Sequence, residues 1–349
     1  MLRSVCNRCL EICRALSLLK YCWKCPGQWI GVASSSNGTR LVAAQLGDAE
    51  YGPGQLFTSS NSGVDWKVTS APRAPWTAVA SSSDGTRLLA AQRQSGNEQQ
   101  SGHVRGHLLT SADSGASWTT TSAPLGNWGA VASSSDGTKL LAAQLTDVHG
   151  KTGRLYTSTN SGLSWTATGA PKVYWGAVAS SSDGTRLIAV GDSQLYASAD
   201  SGRSWTVTSA PASRWSDVAS SSDGTKLLAA QFTDLYGNSG RLYTSADSGK
   251  KWHATSAPAI YWAAVATSSN GTKLFAAQDR IRNGMRGQLF TSSNSGVSWT
   301  VTSAPAAVWG AVASSSDGTQ LLVGSFGDNS GLGQLYTSSD SGAHWSNRS

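Results

Sequence analysis

Charge is scarce in this chain of 349 residues: Asp, Glu, Lys and Arg together make up 13%. Glutamate is nearly absent, with Glu11, Glu50 and Glu98 the whole set. Methionine occurs twice, histidine five times, and all five cysteines stand before residue 26. Each shortage excludes something. Residues 26–349 cannot be stapled by disulfides. The histidines (His103, His107, His149, His253, His344) are scattered without metal-ligand spacing, and no cofactor is expected. No apolar run reaches the roughly 18 residues that a membrane span needs, so none is expected. Of the formal net charge of +7, +4 falls in residues 1–28 (Arg3, Arg8, Arg14, Lys20 and Lys24 against Glu11), leaving +3 for residues 29–349. So weak a field argues against a nucleic-acid partner. No Gly-rich phosphate loop follows a strand and opens a helix.

What the chain does have is a repeat. Aligned on a leading Trp, seven units follow: 29–75, 76–127, 128–174, 175–214, 215–261, 262–308 and 309–349. Each reads approximately W-x-A-V-A-S-S-S-D-G-T-K-L-L-A-A-Q, then a variable stretch, then G-R-L-Y-T-S-A-D-S-G-x-S-W-T-x-T-S-A-P. Each unit holds four short strand candidates separated by Gly, Asn and Asp turns, with Pro at the unit's end. Four strands per 40 to 52 residues is the period of a propeller blade. The expected fold is all-β: a seven-bladed β-propeller of four-stranded antiparallel blades over 29–349, with a short extension over 1–28. A monomer is expected.

The eight-residue box S-x-D-x-G-x-S-W, seen as SADSGASW at 111–118, carries Asn61, Asp113, Asn160, Asp200, Asp247, Asn294 and Asp340 at its acidic position. A general acid or hard-metal ligand needs a carboxylate, for which Asn is a poor substitute. A turn needs only an oxygen that accepts backbone N–H groups, and Asn serves as well as Asp. The box is therefore read as a structural turn. The seven leading Trp side chains read as packing between blades, with a sugar platform as the alternative. Strand alternation puts the Ser-Asp-Gly-Thr turns and the boxes on one face. The variable loops and the Ala-Pro connections share the other.

The box resembles the Asp-box, or BNR repeat, of the sialidase-like propeller superfamily, and the resemblance covers residues 29–349. It implies the seven-bladed fold and places an active site, where one exists, on the variable-loop face. A sialidase-like site would need three arginines, a Tyr–Glu nucleophile pair and an Asp acid. Glu50 beside Tyr51 is a weak pair, and the Arg-Ile-Pro motif is absent, Arg280-Ile281-Arg282 being the nearest string. A hydrolase with two carboxylates could draw on Asp147, Asp234 or Asp279. The leading expectation is a non-catalytic binding or scaffolding propeller with a protein or glycan ligand. The alternatives are a sialidase-like glycoside hydrolase and a protein like the photosystem II assembly factors, which also use seven blades with related repeats.

Candidate ligand-binding residues come from three variable loops: Asp147 and His149 in the third, Asp234 and Tyr236 in the fifth, and Asp279, Arg280, Arg282 and Arg286 in the sixth. The fourth unit has almost no loop (Gly191-Asp192-Ser193). One position after each Ser-Asp/Asn-Gly-Thr turn is basic in six copies (Arg40, Arg87, Lys139, Arg186, Lys226, Lys273) and Gln320 in the last. This reads as a solvated ring pairing weakly with nearby Asp, or as a dock for an acidic partner. Residues 1–28 carry Cys6, Cys9, Cys22 and Cys25 as a weak four-thiolate zinc candidate. They are read first as a leader or tail: no clear secretory signal is present, and an organelle-targeting leader is an alternative. The last copy stops at Ser349, so closure of the ring needs either this stub or a strand from near 20–26, and the N-terminal strand is expected to add to the outer edge of the last blade.

Overall fold

The computed structural model describes residues 28–46, 53–93, 106–279, 286–327 and 333–348. Seven antiparallel four-stranded sheets follow one another along the chain, each built from four consecutive strands. The first blade is β1 (Trp29–Ser34), β2 (Leu41–Gln45), β3 (Leu56–Ser59) and β4 (Lys67–Val68). The innermost strands of the next six are β5 (Trp76–Ser81), β9 (Gly126–Ser133), β13 (Trp175–Ser180), β17 (Arg214–Ser220), β21 (Trp262–Thr267) and β25 (Val308–Ser314). No helix occurs among the described residues, and none there is long and apolar enough to cross a membrane. The architecture is a seven-bladed β-propeller.

The second strand of each blade is an unbroken apolar run, as in Leu41–Ala44, because both of its faces are covered by neighbouring blades. The leading Trp fills the space between two blades. Trp76 packs on Val42, Ala44 and Leu56 of the first blade and on Leu109 of its own. Trp76, Trp128, Trp175, Trp262 and Trp309 are fully buried, and Trp29 and Trp215 nearly so. Six of the seven meet an aromatic ring of their own third strand edge-on, with centroids 5.0–5.7 Å apart. Removing that much apolar surface from water contributes about 4–6 kcal/mol per indole. The ring of indoles is core, and a sugar platform is not available from it.

Each first strand shifts register just after its Trp, for example between Trp29 and Gly31. This bulge lets the indole turn into the blade interface while the next residues line the central channel. At one end of the channel the blades are tied by a closed cycle of backbone bonds. Ser36 donates to Ser83, Ser83 to Ser135, Ser135 to Ser182, Ser182 to Ser222, Ser222 to Ser269, Ser269 to Ser316, and Ser316 back to Ser36, all at 2.7–2.8 Å.

Closure of the ring differs from the sequence expectation. The last blade is β25, β26 (Leu321–Phe326), β27 (Leu335–Ser338) and β28 (Ser346–Asn347), so the C-terminal stub supplies its own outer strand. The fourth strand is two residues long and exposed in every blade. The Arg348 N–H then bonds Leu335 O as the Thr69 N–H bonds Leu56 O in the first blade. The last copy is therefore not short, because short outer strands are the rule here, and they blunt a sheet edge. The proposed strand at 20–26 and the four N-terminal cysteines lie outside the described residues. At the closing interface, Trp29 packs on Leu322 and Leu335, and a Cβ on Gly324 would come within 2.7 Å of Trp29 Cβ.

Candidate functional site

The box face is consumed by architecture. In the second blade, Asp113 Oδ1 accepts the Ser117 N–H and the Ser111 hydroxyl, both at 2.8 Å, while Oδ2 accepts the Ser117 hydroxyl. In the third blade, Asn160 Oδ1 accepts the Ser164 N–H at 2.9 Å, and its Nδ2 donates to Ser164 Oγ. The serine hydroxyl donates to Asp and accepts from Asn, which is why both residues serve. The next two residues both take left-handed conformations, Ser114 at φ 58° and Gly115 at φ 88°. The Ser114 N–H then bonds Thr86 O of the neighbouring turn. These bonds hold Asp113, Asp200 and Asp340 at about 2, led by the Ser117 hydroxyl, the Ser204 hydroxyl and the His344 N–H respectively. Such carboxylates carry no proton to donate near neutrality.

The basic ring is partly built into the blade boundaries. Each stem lies across a blade boundary on the glycine of the next turn. A Cβ on Gly85 would stand 2.6 Å from Arg40 Cβ, and one on Gly137 2.6 Å from Arg87 Cβ. Four of the six head groups reach the left-handed serine of the next blade's box: Arg40 donates to Ser114 (3.0 Å), Arg87 to Ser161, Arg186 to Ser248 (2.7 Å) and Lys273 to Ser341 (3.1 Å), while Lys226 donates to Asn270 O (2.9 Å). Weak pairing with the turn acids is also present, since Arg40 helps to lower Asp84.

On the opposite face the loops are unequal. In the third blade, β10 (Leu140–Asp147) runs into a turn where Asp147 Oδ1 accepts the N–H groups of His149 and Lys151, both at 2.9 Å. The fifth blade repeats it. Asp234 Oδ1 accepts the N–H groups of Tyr236 (2.9 Å) and Asn238 (2.8 Å), and Oδ2 accepts Asn238 Nδ2. Both carboxyls are lowered, Asp147 chiefly by the Lys151 N–H and Asp234 by the Asn238 side chain. The two residues are turn caps in their own hairpins, two blades apart. What they present is the loop tip: Leu235 is 50% exposed, Tyr236 is 92% exposed, and His149 is exposed. Phe232 and Tyr261, with ring centroids 5.1 Å apart, brace the base of the fifth hairpin.

Between these two hairpins the fourth blade turns tightly. Its strands β14 (Leu187–Gly191) and β15 (Gln194–Ser198) are joined by Asp192 and Ser193 alone, Asp192 at φ 50°. The loop face thus has a notch, with the third and fifth hairpins as walls and the fourth blade as floor. Exposed Lys172 stands on the connection entering the fourth blade, and exposed Arg214 opens β17 of the fifth. Asp279 and the exposed Arg286 flank the sixth loop, where the Asp279 N–H bonds Tyr261 O. Arg280 and Arg282 lie outside the described residues.

The central channel, about 330 Å³, is lined by the first strands. Sequence reasoning missed the group that distinguishes it. Asp217, on β17, stands where the other six blades place Gly31, Ala78, Ala130, Ala177, Ala264 and Ala311. Its Oδ1 accepts the Val218 N–H and its Oδ2 the Val265 N–H of the next blade, both at 2.9 Å. Part of its surface faces the channel, yet protein surrounds it. Desolvation pushes its carboxyl up to about 7, against the lowering effect of the two N–H groups. The signal was available in the aligned copies, where W-S-D-V-A-S breaks the W-x-[GA]-V-A-S pattern.

No known protein family and no curated protein matches the sequence. Solved structures match the fold. A GH74 xyloglucanase from Xanthomonas campestris superposes with a TM-score of 0.67 at 18% identity, covering 91% of this chain and 52% of that one. A GH74 enzyme from Niastella koreensis gives 0.67 at 16%, covering 91% and 54%. This chain therefore spans about half the length of those two enzymes. YCF48 bound to D1 peptide gives 0.59 at 13%, covering 87% of this chain and 91% of that one. At such identities the likeness defines a class, the seven-bladed propellers, and no family within it.

Proposed function

We propose that this propeller is a binding platform that takes an extended protein segment across the fourth blade, between the third and fifth hairpins. The notch carries this reading: a two-residue turn stands between two longer hairpins whose turns are capped by Asp147 and Asp234. A rigid scaffold with unequal loops on one face is the usual way a propeller acquires a single site from equal blades. Leu235 and Tyr236 supply an apolar and aromatic wall, and exposed aromatics of this kind anchor protein interfaces. Lys172 and Arg214 favour a ligand with an acidic group. YCF48, a propeller of similar length, is seen bound to a peptide, which agrees with this reading.

A glycoside hydrolase is the second reading, favoured by the GH74 structures. Against it, Asp147 and Asp234 are engaged as turn caps with lowered pKa, whereas a hydrolase acid needs a raised one. One experiment separates the two: a random peptide library and a glycan array screened in parallel, with turnover assays on xyloglucan and a fluorogenic sialoside. Peptide binding that falls at least tenfold in Leu235→Ser and Tyr236→Ser variants supports the platform. Turnover of either glycoside selects the enzyme.

A further inference from the structure

We propose that the central channel is a receptor for one organic cation, an alkylammonium group, with Asp217 as its counter-ion. The site is separate from the loop-face notch, and its failure would leave that reading untouched.

The repeat is broken at this position. Six blades fill this position with Gly or Ala, so neither fold nor ring closure requires a carboxylate there. The fifth copy puts one into a channel wall otherwise made of small side chains and backbone. Of the described residues lining the channel, only Asp217 is acidic, and Arg93 is the one other charged residue. Asp217 pairs across its sheet with Ala230 of β18 (Leu227–Thr233) and accepts from Val265 of β21, and Gly176 and Ala177 of β13 and Ala264 of β21 line the same channel. None of these titrates, and no charged side chain among the described residues acts on it. Buried charges in proteins are as a rule paired. This one has no charged partner among the described residues.

The chemistry selects the ligand. Each carboxylate oxygen offers two acceptor positions and accepts one N–H, so two positions remain. An ammonium brings three donors. The inner edges of β17 and β21 pair with no further strand, so carbonyl groups along the wall can take the others. A hard metal ion would need several oxygen ligands together, and among the described residues no cluster of three metal-ligating side chains occurs. At the pKa of about 7 that burial imposes, Asp217 is half protonated near neutrality. A bound cation would hold the ionised form, so affinity should rise with pH and level off above 7.

The test is carboxyl NMR on aspartate-labelled full-length protein, with the Asp217 signal identified by its loss in Asp217→Ala. That variant installs the sister-blade residue and should fold; Asp217→Asn, nearly isosteric, is the second variant. The probes are n-butylammonium and a blocked lysine tripeptide, each against potassium at equal ionic strength. At a saturating probe the apparent pKa of Asp217 should fall by at least one unit. Binding should be about tenfold tighter at pH 8 than at pH 6, the ratio of ionised fractions about a pKa of 7, and should be lost in both variants. A response to butylammonium alone points to a small amine, and a response to the tripeptide points to a lysine arm of a larger partner. An Asp217 titration unchanged by both probes, or binding that survives in Asp217→Ala, overturns the proposal.

Discussion

Replacing Asp217 by Ala should stabilise the protein at pH 8 and weaken it slightly at pH 4. In the native state the carboxyl titrates at about 7, against an ordinary value of 3.8. For an acid with a raised native pKa, the folded state holds its proton longer than the unfolded chain does. Folding stability therefore falls as pH rises from about 4 to about 7, and the loss is complete above 7. Three pKa units correspond to about 4 kcal/mol at 1.4 kcal/mol per unit. Removing the side chain abolishes that loss but also removes the acceptor of the Val218 and Val265 N–H groups, at about 0.5 kcal/mol each and so about 1 kcal/mol together. At pH 8 the variant should be more stable by about 3 kcal/mol. At pH 4 it should be less stable by about 1 kcal/mol. Urea denaturation at pH 4, 6 and 8 reads both numbers. A stability difference that stays constant across this range would show that Asp217 has an ordinary pKa and that burial does not control it.

The turn acids act in the opposite sense. Asp84, Asp136, Asp183, Asp223 and Asp317 are held at about 2, in each case first by a serine hydroxyl, so their contribution is present above about pH 4 and lost as pH falls through 2. Acid titration followed by circular dichroism should show cooperative unfolding between those values. Asp113→Asn should leave the urea midpoint unchanged, because Asn160 makes the same backbone contact, while Asp113→Ala should lower it. Gly137→Ala should cost about 1–3 kcal/mol, since the new Cβ would sit at φ 68° and 2.6 Å from Arg87 Cβ. Deleting residues 1–27 should leave the melting temperature unchanged, because Ser346–Asn347 already completes the last blade.

The fold was legible because the sequence repeats in register: leading Trp, apolar second strand, alternating third strand and box turn all point to one blade. The two faces followed from strand alternation. What escaped was whatever depends on contact between blades. Arg40 reads as a surface charge along the chain, but its stem covers Gly85 and its head group reaches Ser114, 74 positions away. Asp147 and Asp234 read as ligand candidates because they stand in variable loops. Each in fact accepts the N–H of the residue four positions on, the same bond that Asp113 makes in the box. Applied to T-D-V-H-G-K and T-D-L-Y-G-N, the reasoning used for the box would have assigned them to turns. The notch itself was visible only as a missing loop in the fourth copy. Asp217 differs again: the aligned copies mark it as an exception, but only the closed channel gives that exception a consequence.

The central claim is that one face is architecture and the other binds. It is tested most directly with a peptide selected from a random library against the intact protein. Its dissociation constant should be measured for the wild type, for Asp113→Asn, and for a variant in which residues 232–240 are shortened to the two-residue turn of the fourth blade. The account predicts an unchanged constant for Asp113→Asn and a loss of at least tenfold when the hairpin is shortened, with both variants folded. Loss of binding in Asp113→Asn, or full retention in the shortened variant, would contradict it.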